Sequence, residues 1–485
     1  MSNHTKVFYT IVFAAFNAII SSFALFVDGN YSVVKILSIF SFLIFGINCL
    51  LESNNLLFLA RTFILGIIGY FPMIIKIMFG EGAFFSSYEI STQDFDIVLL
   101  MYVTTSFALL SNNIGLAFVN KRNYVHLDAK LVPISQSSKK NRQTRRNYWR
   151  LAGLIGVILA LFSSYIFIRA YGQTILVAGY GSEDASGAGI PFGSVGVLGA
   201  VGIFSLFVAG MKGYIKNWKF VFYIGCFVFI IYSQIFMGPR QDAMSTLFGL
   251  LILYGVANRR EIKMKVSYIP ILVIFYIFFE VWGVAREVLA AGVSITSIIV
   301  QSFTNIGATD AVRMGTFSPI ATTFSNTVWL IENHIINYSM GQSYLEWILR
   351  IPPEILYPGR PADYALMFQE HGLISGGGFF ELAEVYMNFG LLGALVIPGI
   401  ISFLMAKSYY YAFYRQSMLS YFLLFSFLSI FLRGTWYQTF AFFRAFLVCM
   451  LLYFVYLFIV QILWPAMKLR IQKRCAHSHQ VASTS

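Results

Sequence analysis

The sequence predicts an all-α membrane protein, a bundle of about twelve transmembrane helices with both termini in the cytoplasm and one large external loop. The first reason is composition, since 58% of the residues are hydrophobic and 11% are charged, whereas a soluble domain has about 25% charged residues. The second is that apolar stretches of about 20 residues recur along the chain, which is the length of a membrane-spanning helix and too long for a barrel strand. The third is that loops rich in lysine and arginine alternate with loops that lack them, as cytoplasmic and external loops do.

The apolar spans before the large loop are predicted from hydropathy and length. The first is interpreted as a helix rather than a cleaved signal peptide, because its apolar run is too long and no small-x-small cleavage site follows. In the third predicted span, 57–79, Arg61 and Lys76 lie near opposite ends, where both side chains can extend to the membrane interface. The predicted spans cover residues 7–27, 31–51, 57–79, 96–119, 151–168, 191–211, 220–236, 243–257 and 267–284.

Loop charges predict the orientation of these spans. The loop 80–94 carries acidic residues and no lysine or arginine, which indicates the outside, whereas 121–150 is dense in basic residues, which indicates the inside. A nucleic-acid-binding patch is the alternative interpretation of the basic loop, but an anchor at the anionic cytoplasmic leaflet is far more common. We therefore interpret the net charge of +13 as a sign of topology and expect no nucleic-acid partner.

Three regions follow from this pattern. Residues 1–285 hold the spans given above, 286–384 form a mostly polar external loop, and 385–485 hold three further spans and a basic cytoplasmic tail. These last spans are predicted at 385–406, 419–432 and 440–464. The large loop is the main part of the chain that can lie outside a bilayer, so we expect it to help hold any large substrate.

No cofactor or metal site is predicted. The chain has no glycine loop of the Walker A or Rossmann type and no metal-ligand cluster on the cytoplasmic side. Cys49, Cys226 and Cys449 lie in apolar spans and Cys475 lies in the tail, so no disulfide or zinc pattern is available. Any reaction is therefore expected on the external face.

Among lysine and arginine, the residues predicted on the external face are arginines. Guanidinium groups donate paired hydrogen bonds to phosphate and keep their charge, so this set is typical of an anion site. Arg240 is the best placed, because Pro239 favours a helix start and a helix N-terminus attracts anions. An ion pair with Asp242 or a lipid headgroup explains Arg240 equally well. Arg444 lies within the last span, where a charge is by default functional or paired. The whole set comprises Arg240, Arg286, Arg313, Arg350, Arg360, Arg433 and Arg444.

Three residues near the end of the loop are candidates for a general base, namely His371, Glu381 and Glu384. The two glutamates are spaced to share one face of a helix. Either one can take a proton from a hydroxyl, or pair with an arginine and hold the shape of the site. For Glu384 we favour the structural role. His371 is more typical of a surface loop, although the glycines at 376–378 indicate backbone that moves or approaches a ligand closely.

Aromatic residues are frequent in the external loop, where they can stack on sugar rings or anchor the loop at the membrane interface. The run 344–351 predicts a short amphipathic helix in the membrane plane, stopped by Pro352 and Pro353. The aromatic residues concerned are Trp329, Tyr338, Tyr344, Trp347, Tyr357 and Tyr364.

Motifs in the second half of the loop form a recognisable pattern. They are Gly341-Gln-Ser-Tyr-Leu, Ile351-Pro-Pro-Glu with Tyr357-Pro-Gly-Arg-Pro361, Gly376-Gly-Gly-Phe, and Ala383-Glu-Val-Tyr-Met-Asn-Phe-Gly-Leu-Leu-Gly393. In these motifs and in its late large loop, the chain resembles the Wzy-type O-antigen and oligosaccharide repeat-unit polymerases of bacterial inner membranes. The matching motifs cover residues 341–393 only.

The resemblance implies a glycosyltransferase with a GT-C-like fold, which transfers a growing glycan from undecaprenyl pyrophosphate onto a lipid-linked repeat unit at the periplasmic face. It implies no cofactor, metal or nucleotide sugar. The implied partners are lipid-linked repeat units, membrane lipids and a chain-length regulator of the Wzz type. By the same analogy, the pyrophosphate is expected to contact Arg240, Arg286, Arg360, Arg433 and Arg444. The arginine and glycine loop pattern of some members is not cleanly present at Arg240.

Two alternatives stay open. An O-antigen ligase, which passes the finished glycan to lipid A core, also keeps a large external loop and uses arginine and histidine, so His371 would be central to it. A lipid-linked oligosaccharide flippase is a transporter and would carry charged residues at mid-membrane in paired halves. The sequence shows no internal repeat and, apart from Arg444, no charged mid-membrane residue.

Overall fold

The computed structural model describes a large part of the chain. Within it, 86% of the residues are helical and no strand occurs. Six of the helices are long and apolar enough to cross a membrane, so the protein is a helical membrane protein. The described residues are 3–27, 31–79, 95–119, 139–171, 192–230, 240–265, 268, 318–349, 357, 359, 361, 367–368, 370–373, 379–436, 439 and 441–459.

Helices cover the predicted spans except the ninth, 267–284, which lies outside the described residues apart from Tyr268. The seventh and the twelfth are described in part. The tenth was predicted as one continuous span at 385–406, and this is wrong, because the helix begins at Glu381 and is interrupted at Gly390. In chain order the helices are α1 (Asn3–Phe26), α2 (Tyr31–Glu52), α3 (Leu56–Phe79), α4 (Phe95–Phe118), α5 (Lys139–Tyr171), α6 (Phe192–Met211), α7 (Trp218–Cys226), α8 (Arg240–Ala257), α9 (Ser318–Glu332), α10 (Gln342–Leu349), α11 (Glu381–Arg415), α12 (Met418–Leu428), α13 (Phe431–Trp436) and α14 (Ala441–Ile459).

The contact between α4 and α11 forms the centre of the bundle. In α4, 78% of the residues of the apolar stretch are buried, compared with 33% in α1 and α2, which face outward. A Cβ atom added at Gly115 would lie 2.1 Å from the carbonyl oxygen of Gly399, so the two backbones meet without a side chain between them. The Gly399 amide donates a hydrogen bond of 2.8 Å to Ser111 Oγ. Small residues allow this close approach in membrane proteins, where van der Waals contact drives helix association.

A second close crossing joins α5 and α6. A Cβ atom added at Gly156 would lie 2.5 Å from the carbonyl oxygen of Gly202, and one at Gly202 would lie 2.2 Å from the carbonyl oxygen of Gly156. The outward faces of α1 and α2 carry exposed large apolar side chains such as Ile19 and Leu50. Such a continuous apolar surface matches the acyl chains of a bilayer.

Loops that we predicted on the cytoplasmic side lie together at one end of the bundle. The Leu56 amide donates to the Ile262 carbonyl at 2.9 Å, and the Met264 amide donates to the Ser53 carbonyl at 2.8 Å. The link between α2 and α3 is thereby joined to the basic segment that follows α8.

Lys212 and Gln416 join three more helices at the same end. Lys212 Nζ donates to the Ala257 carbonyl at 3.2 Å and also to Gln416 Oε1. Gln416 Nε2 donates to the Val256 carbonyl at 3.0 Å. These contacts satisfy the last carbonyls of α8, where a cation is also favoured by the helix dipole.

Helix α11 consists of two arms, 381–389 and 391–415, separated by a reversal at Gly390. The Gly390 dihedrals, φ 59° and ψ −144°, are not helical, and they lie in a region that only glycine adopts easily. The arms fold back on each other, because a Cβ atom added at Gly393 would lie 2.8 Å from the Val385 carbonyl oxygen. The start of the first arm therefore lies deep in the bundle.

Helix α9 belongs to the segment that we predicted as the external loop, yet it packs inside the bundle against α3, α4 and α11. Its side chains from Ile320 to Leu330 are nearly all buried. The Phe324 ring packs edge-on against the Phe380 ring, with centroids 5.6 Å apart. In its described part, the predicted loop thus contributes a helix to the protein interior.

Candidate functional site

Arg61 of α3 and Glu381, the first residue of α11, form a bidentate ion pair in the protein interior. Arg61 Nη1 lies 2.6 Å from Glu381 Oε2 and Nη2 lies 2.5 Å from Oε1. Both side chains are fully buried. The planar guanidinium matches the carboxylate in this arrangement, which is the strongest form of charge-assisted hydrogen bonding.

Two further donors of Arg61 are also satisfied. Nη1 donates to Thr435 Oγ1 at 2.8 Å, and Nε donates to Ser402 Oγ at 3.4 Å. The guanidinium carbon lies 5.9 Å from the centre of the Phe442 ring. Our prediction that Arg61 extends to the membrane interface is therefore wrong, because its side chain is held inward by groups from α11, α13 and α14.

A second layer of polar groups supports this pair from α4. Ser402 Oγ donates to Asn112 Oδ1 at 2.6 Å. Asn112 Nδ2 donates to Thr62 Oγ1 at 2.9 Å. The ion pair is thus embedded in a hydrogen-bonded network that joins α3, α4 and α11, and each of its two charges is compensated.

Glu384 lies one turn after Glu381 and is also fully buried. Ser343 Oγ donates to its Oε1 at 3.3 Å, and the Thr439 amide donates to its Oε2 at 3.1 Å. Both donors are neutral, in contrast to the guanidinium that holds Glu381. A carboxylate held in this way can still accept a proton or a further hydrogen bond.

Asn388 ties the first arm of α11 to the start of α10. Its Nδ2 donates to Ser343 Oγ at 2.6 Å, and its Oδ1 accepts from the Gly341 amide at 2.9 Å. Since the oxygen of Ser343 accepts from Asn388, its own hydrogen can be donated to Glu384. The Tyr344 ring stacks against the Phe389 ring, with centroids 6.5 Å apart. We name Arg61, Glu381, Glu384, Ser343 and Asn388 with their hydrogen-bond partners the buried polar cluster.

Among the predicted base candidates, the structure brings Glu381 and Glu384 together and leaves His371 apart. His371 is exposed, in a turn where its amide donates to the Met367 carbonyl at 3.3 Å. The alternative that we gave for the glutamates, pairing with an arginine, describes Glu381. Glu384, for which we favoured the structural role, accepts instead from Ser343 and Thr439. The predicted amphipathic helix at 344–351 is present as α10, Gln342–Leu349.

The predicted anion-binding arginines are only partly described. Arg433 lies in the last turn of α13, next but one to Thr435, and is half-buried. Arg444 is half-buried in α14, next but one to Phe442. Arg240 begins α8, but its side chain lies outside the description. The other arginines of the set, which lie outside the described residues, are Arg286, Arg313, Arg350 and Arg360.

Sequence reasoning missed Arg61, Ser343, Asn388 and Asn112 as members of the site. Arg61, like Arg444, is a charged residue inside an apolar span, and this property alone could have marked it as functional or paired. Asn388 and Ser343 belonged to the quoted motifs, but nothing in the sequence showed that their side chains meet.

No group of three or more His, Cys, Asp or Glu residues that could hold a metal occurs in the described part of the chain. No protein-family profile, curated protein or solved structure matches the chain.

Proposed function

We propose that the protein is a polymerase of O-antigen or a related surface polysaccharide. It transfers a growing glycan from undecaprenyl pyrophosphate onto a lipid-linked repeat unit at the periplasmic face of a bacterial inner membrane. The proposal includes twelve spans with both termini in the cytoplasm.

The observation that carries this proposal is that two of the motifs behind the resemblance meet at a buried carboxylate. The first motif begins at Gly341 and the second at Ala383. Gly341 and Ser343 of the first contact Asn388 and Glu384 of the second through hydrogen bonds of 2.6–3.3 Å. Residues far apart in sequence thus form one polar site, as an active site requires.

The positions of Gly341 and Gly390 support a reaction on the external side. The loops rich in lysine and arginine meet at one end of the bundle, around Leu56, Lys212 and Gln416. Gly390 lies at the other end of the second arm of α11 from Gln416, and the Gly341 amide bonds to Asn388. Under the rule that basic loops stay in the cytoplasm, the reversal at Gly390 faces the periplasm.

In the proposed reaction, an acceptor hydroxyl attacks the anomeric carbon of the donor glycan. A carbon–oxygen bond to the acceptor forms, the bond to the lipid pyrophosphate breaks, and the hydroxyl proton passes to a base. Glu384 suits this role better than Glu381, because Glu381 is occupied by Arg61, whereas the hydrogen-bond donors to Glu384 among the described residues are neutral. Glu381 then holds the shape of the site, and His371 is a second candidate for the base.

Arginines are proposed to neutralise the departing pyrophosphate, which should supply most of the rate enhancement. Arg61 is not among them, because its guanidinium is fully paired with Glu381. The arginines assigned to this role are Arg240, Arg286, Arg360, Arg433 and Arg444.

The test is to delete the gene in its host and resolve the surface glycan by size on a gel. A polymerase predicts that the ladder collapses to core plus a single repeat unit. Complete loss of glycan from core, with lipid-linked polymer still accumulating, would mean a ligase. An unchanged ladder would exclude both functions.

A second candidate is a lipid-linked oligosaccharide flippase, and the buried ion pair between Arg61 and Glu381 favours it. Charged residues in the interior of a membrane bundle often mark a transport pathway. The same gene deletion distinguishes a flippase from a polymerase. Loss of a flippase leaves lipid-linked repeat units on the cytoplasmic side, and the core then carries no repeat unit at all.

A further inference from the structure

Helix α10 has three distinct faces. Its inward face carries Ser343 and Trp347, which are both buried. Its polar edge is formed by Gln342 and Glu346, joined by a hydrogen bond of 2.6 Å from Gln342 Nε2 to Glu346 Oε1. The side chains of the third face are apolar and largely exposed, namely Leu345, Ile348 and Leu349.

The apolar face of α10 points away from the buried polar cluster. Successive residues of a helix lie about 100° apart around its axis, so Leu345 lies opposite the midpoint between Ser343 and Trp347. The Leu345 side chain is 64% exposed. Single exposed leucines are ordinary on a protein surface, whereas a contiguous apolar patch marks a surface that contacts a partner or a membrane.

The apolar patch continues from α10 onto α11. The Phe389 ring, which is partly exposed, stacks on the Tyr344 ring. The Met340 amide donates to the Asn388 carbonyl at 3.1 Å, and the Met340 side chain is 74% exposed. After the reversal at Gly390, exposed apolar side chains follow along one side of the second arm, namely Leu392, Leu395, Val396, Ile400 and Leu404. This stripe belongs to a helix that is long and apolar enough to cross a membrane, which places the stripe against lipid.

The length of the second arm sets the depth of the patch. Residues 391–406 include no charged residue, and Lys407 follows them. At about 1.5 Å per residue this segment spans roughly 24 Å, whereas the hydrocarbon core of a bilayer is about 30 Å thick. The long side chain of Lys407 can extend to the interface and account for part of the difference. The far boundary of the hydrocarbon therefore lies at or beyond Gly390, next to the start of α10, where the Gly341 amide bonds to Asn388.

We propose that α10, together with Met340, lies in the membrane and packs its apolar face against the acyl chains of one leaflet. This leaflet is opposite the end of the bundle that holds Lys212 and Gln416. The polar edge of α10 then faces the lipid headgroups, and the inward face holds the buried polar cluster at the level of the lipid. On this side, α10 is the wall between Glu384 and the acyl chains, with a thickness of about 10–12 Å. The partner of the patch is lipid hydrocarbon, whether or not the protein is a polymerase.

The experiment measures fluorescence quenching in the full-length protein in lipid nanodiscs. A bimane label is attached to Leu345→Cys, and the quencher is phosphatidylcholine brominated either near the headgroup or near the chain end. The unsubstituted protein, treated with the same reagent, gives the signal of the native cysteines, which is subtracted. We expect the label at position 345 to lose more fluorescence to the shallow bromine than to the deep one. Val396→Cys, which lies farther along the stripe of α11, should lose more to the deep bromine.

Gln342→Cys is the matched control, because it lies in the same helix but on the polar edge. Its label should lose more fluorescence to iodide in the water, and less to the brominated lipids, than the label at Leu345→Cys. The proposal is refuted if iodide quenches the label at position 345 and the brominated lipids do not, because the face then contacts water. It is also refuted if neither quencher acts there, because protein then covers the face, or if the labels at positions 342 and 345 behave alike. Met340→Cys repeats the measurement on the same surface if Leu345→Cys does not elute as a single species on size exclusion.

Discussion

Arg61 and Glu381 lie 320 residues apart in the sequence and form a fully buried, bidentate ion pair. This contact connects a helix near the start of the chain to the arm that carries Glu384. A buried pair contributes little net stability compared with an apolar pair of similar shape, but loss of one partner leaves the other charge uncompensated. The pair is therefore best tested by changing one residue and then both.

Arg61→Met and Glu381→Leu are each expected to lower the free energy of unfolding by about 3–5 kcal/mol. The double variant should be more stable than either single variant, because no charge is left alone. The measurement is the midpoint of thermal unfolding in detergent, analysed as a double-mutant cycle. Additive effects of the two substitutions would contradict the pairing.

Gly390→Ala should destabilise the reversal in α11. The backbone there has φ 59° and ψ −144°, and an added Cβ atom would lie 3.3 Å from Tyr338. We expect a loss of about 1–3 kcal/mol. Gly46→Ala is the control, because Gly46 is helical and a Cβ atom there has no neighbour within 4 Å. That control should be neutral or slightly stabilising, and equal losses at both positions would argue against a strained reversal.

Glu384→Gln should abolish long surface glycan while the protein level stays normal, because a general base contributes about 100-fold to 10,000-fold to the rate. The substitution keeps the shape of the side chain and removes its basicity. The readout is the glycan ladder of a deletion strain that carries the variant. His371→Gln serves as the comparison, and a normal ladder from Glu384→Gln with none from His371→Gln would transfer the role of base to His371.

Arg433→Ala and Arg240→Ala should each abolish long chains without loss of expression, because each removes positive charge that is proposed to stabilise the leaving pyrophosphate. Gel analysis measures the length of the surface glycan, and an immunoblot of the membrane fraction measures the amount of protein. A normal polymer from either variant would remove that arginine from the mechanism.

The stability of the end of the bundle that holds Lys212 and Gln416 should depend on pH through Lys212. Burial, reinforced by the positive charge of Arg259, lowers the pKa of Lys212 from 10.5 to about 8. Below pH 8 the folded and unfolded states both hold this proton, so the cost of burying the charge is present in full. Between about pH 8 and 10.5 the unfolded state holds more protons, and stability rises with pH. The unfolding midpoint of the wild type, compared with that of Lys212→Met across this range, should show the rise in the wild type only.

The long helices could be predicted from the sequence because hydropathy and loop charge are local properties. Spans such as 7–27 and 31–51 differ from α1 and α2 by only a few residues at their ends. The reversal at Gly390 could not be predicted in this way, since apolar residues continue through it and a glycine within a helix gives the same pattern. The inward placement of α9 was missed because its polar residues, among them Thr323 and Asn326, are buried against other helices.

The site could be predicted only in part. Glu381 and Glu384 were found because charged residues are rare near apolar spans. The partner of Glu381 was missed, since an arginine near a helix end also fits an interfacial position, and only the packing of α3 against α11 decides between the two. Asn388 and Ser343 are neutral and common residue types, so their role depends on contacts that the sequence does not contain.

Because Arg61 and Glu381 are far apart in the chain, the ribosome adds Arg61 long before it adds Glu381. At a translation rate of about 5–20 residues per second, the 320 residues between them take roughly 16–64 s to appear. Throughout that interval the nascent protein holds a guanidinium in its third span without its final partner. The third span must therefore occupy a provisional position in the translocon or the bilayer. The contact between α3 and α11 can form only after the ribosome has passed the beginning of α11.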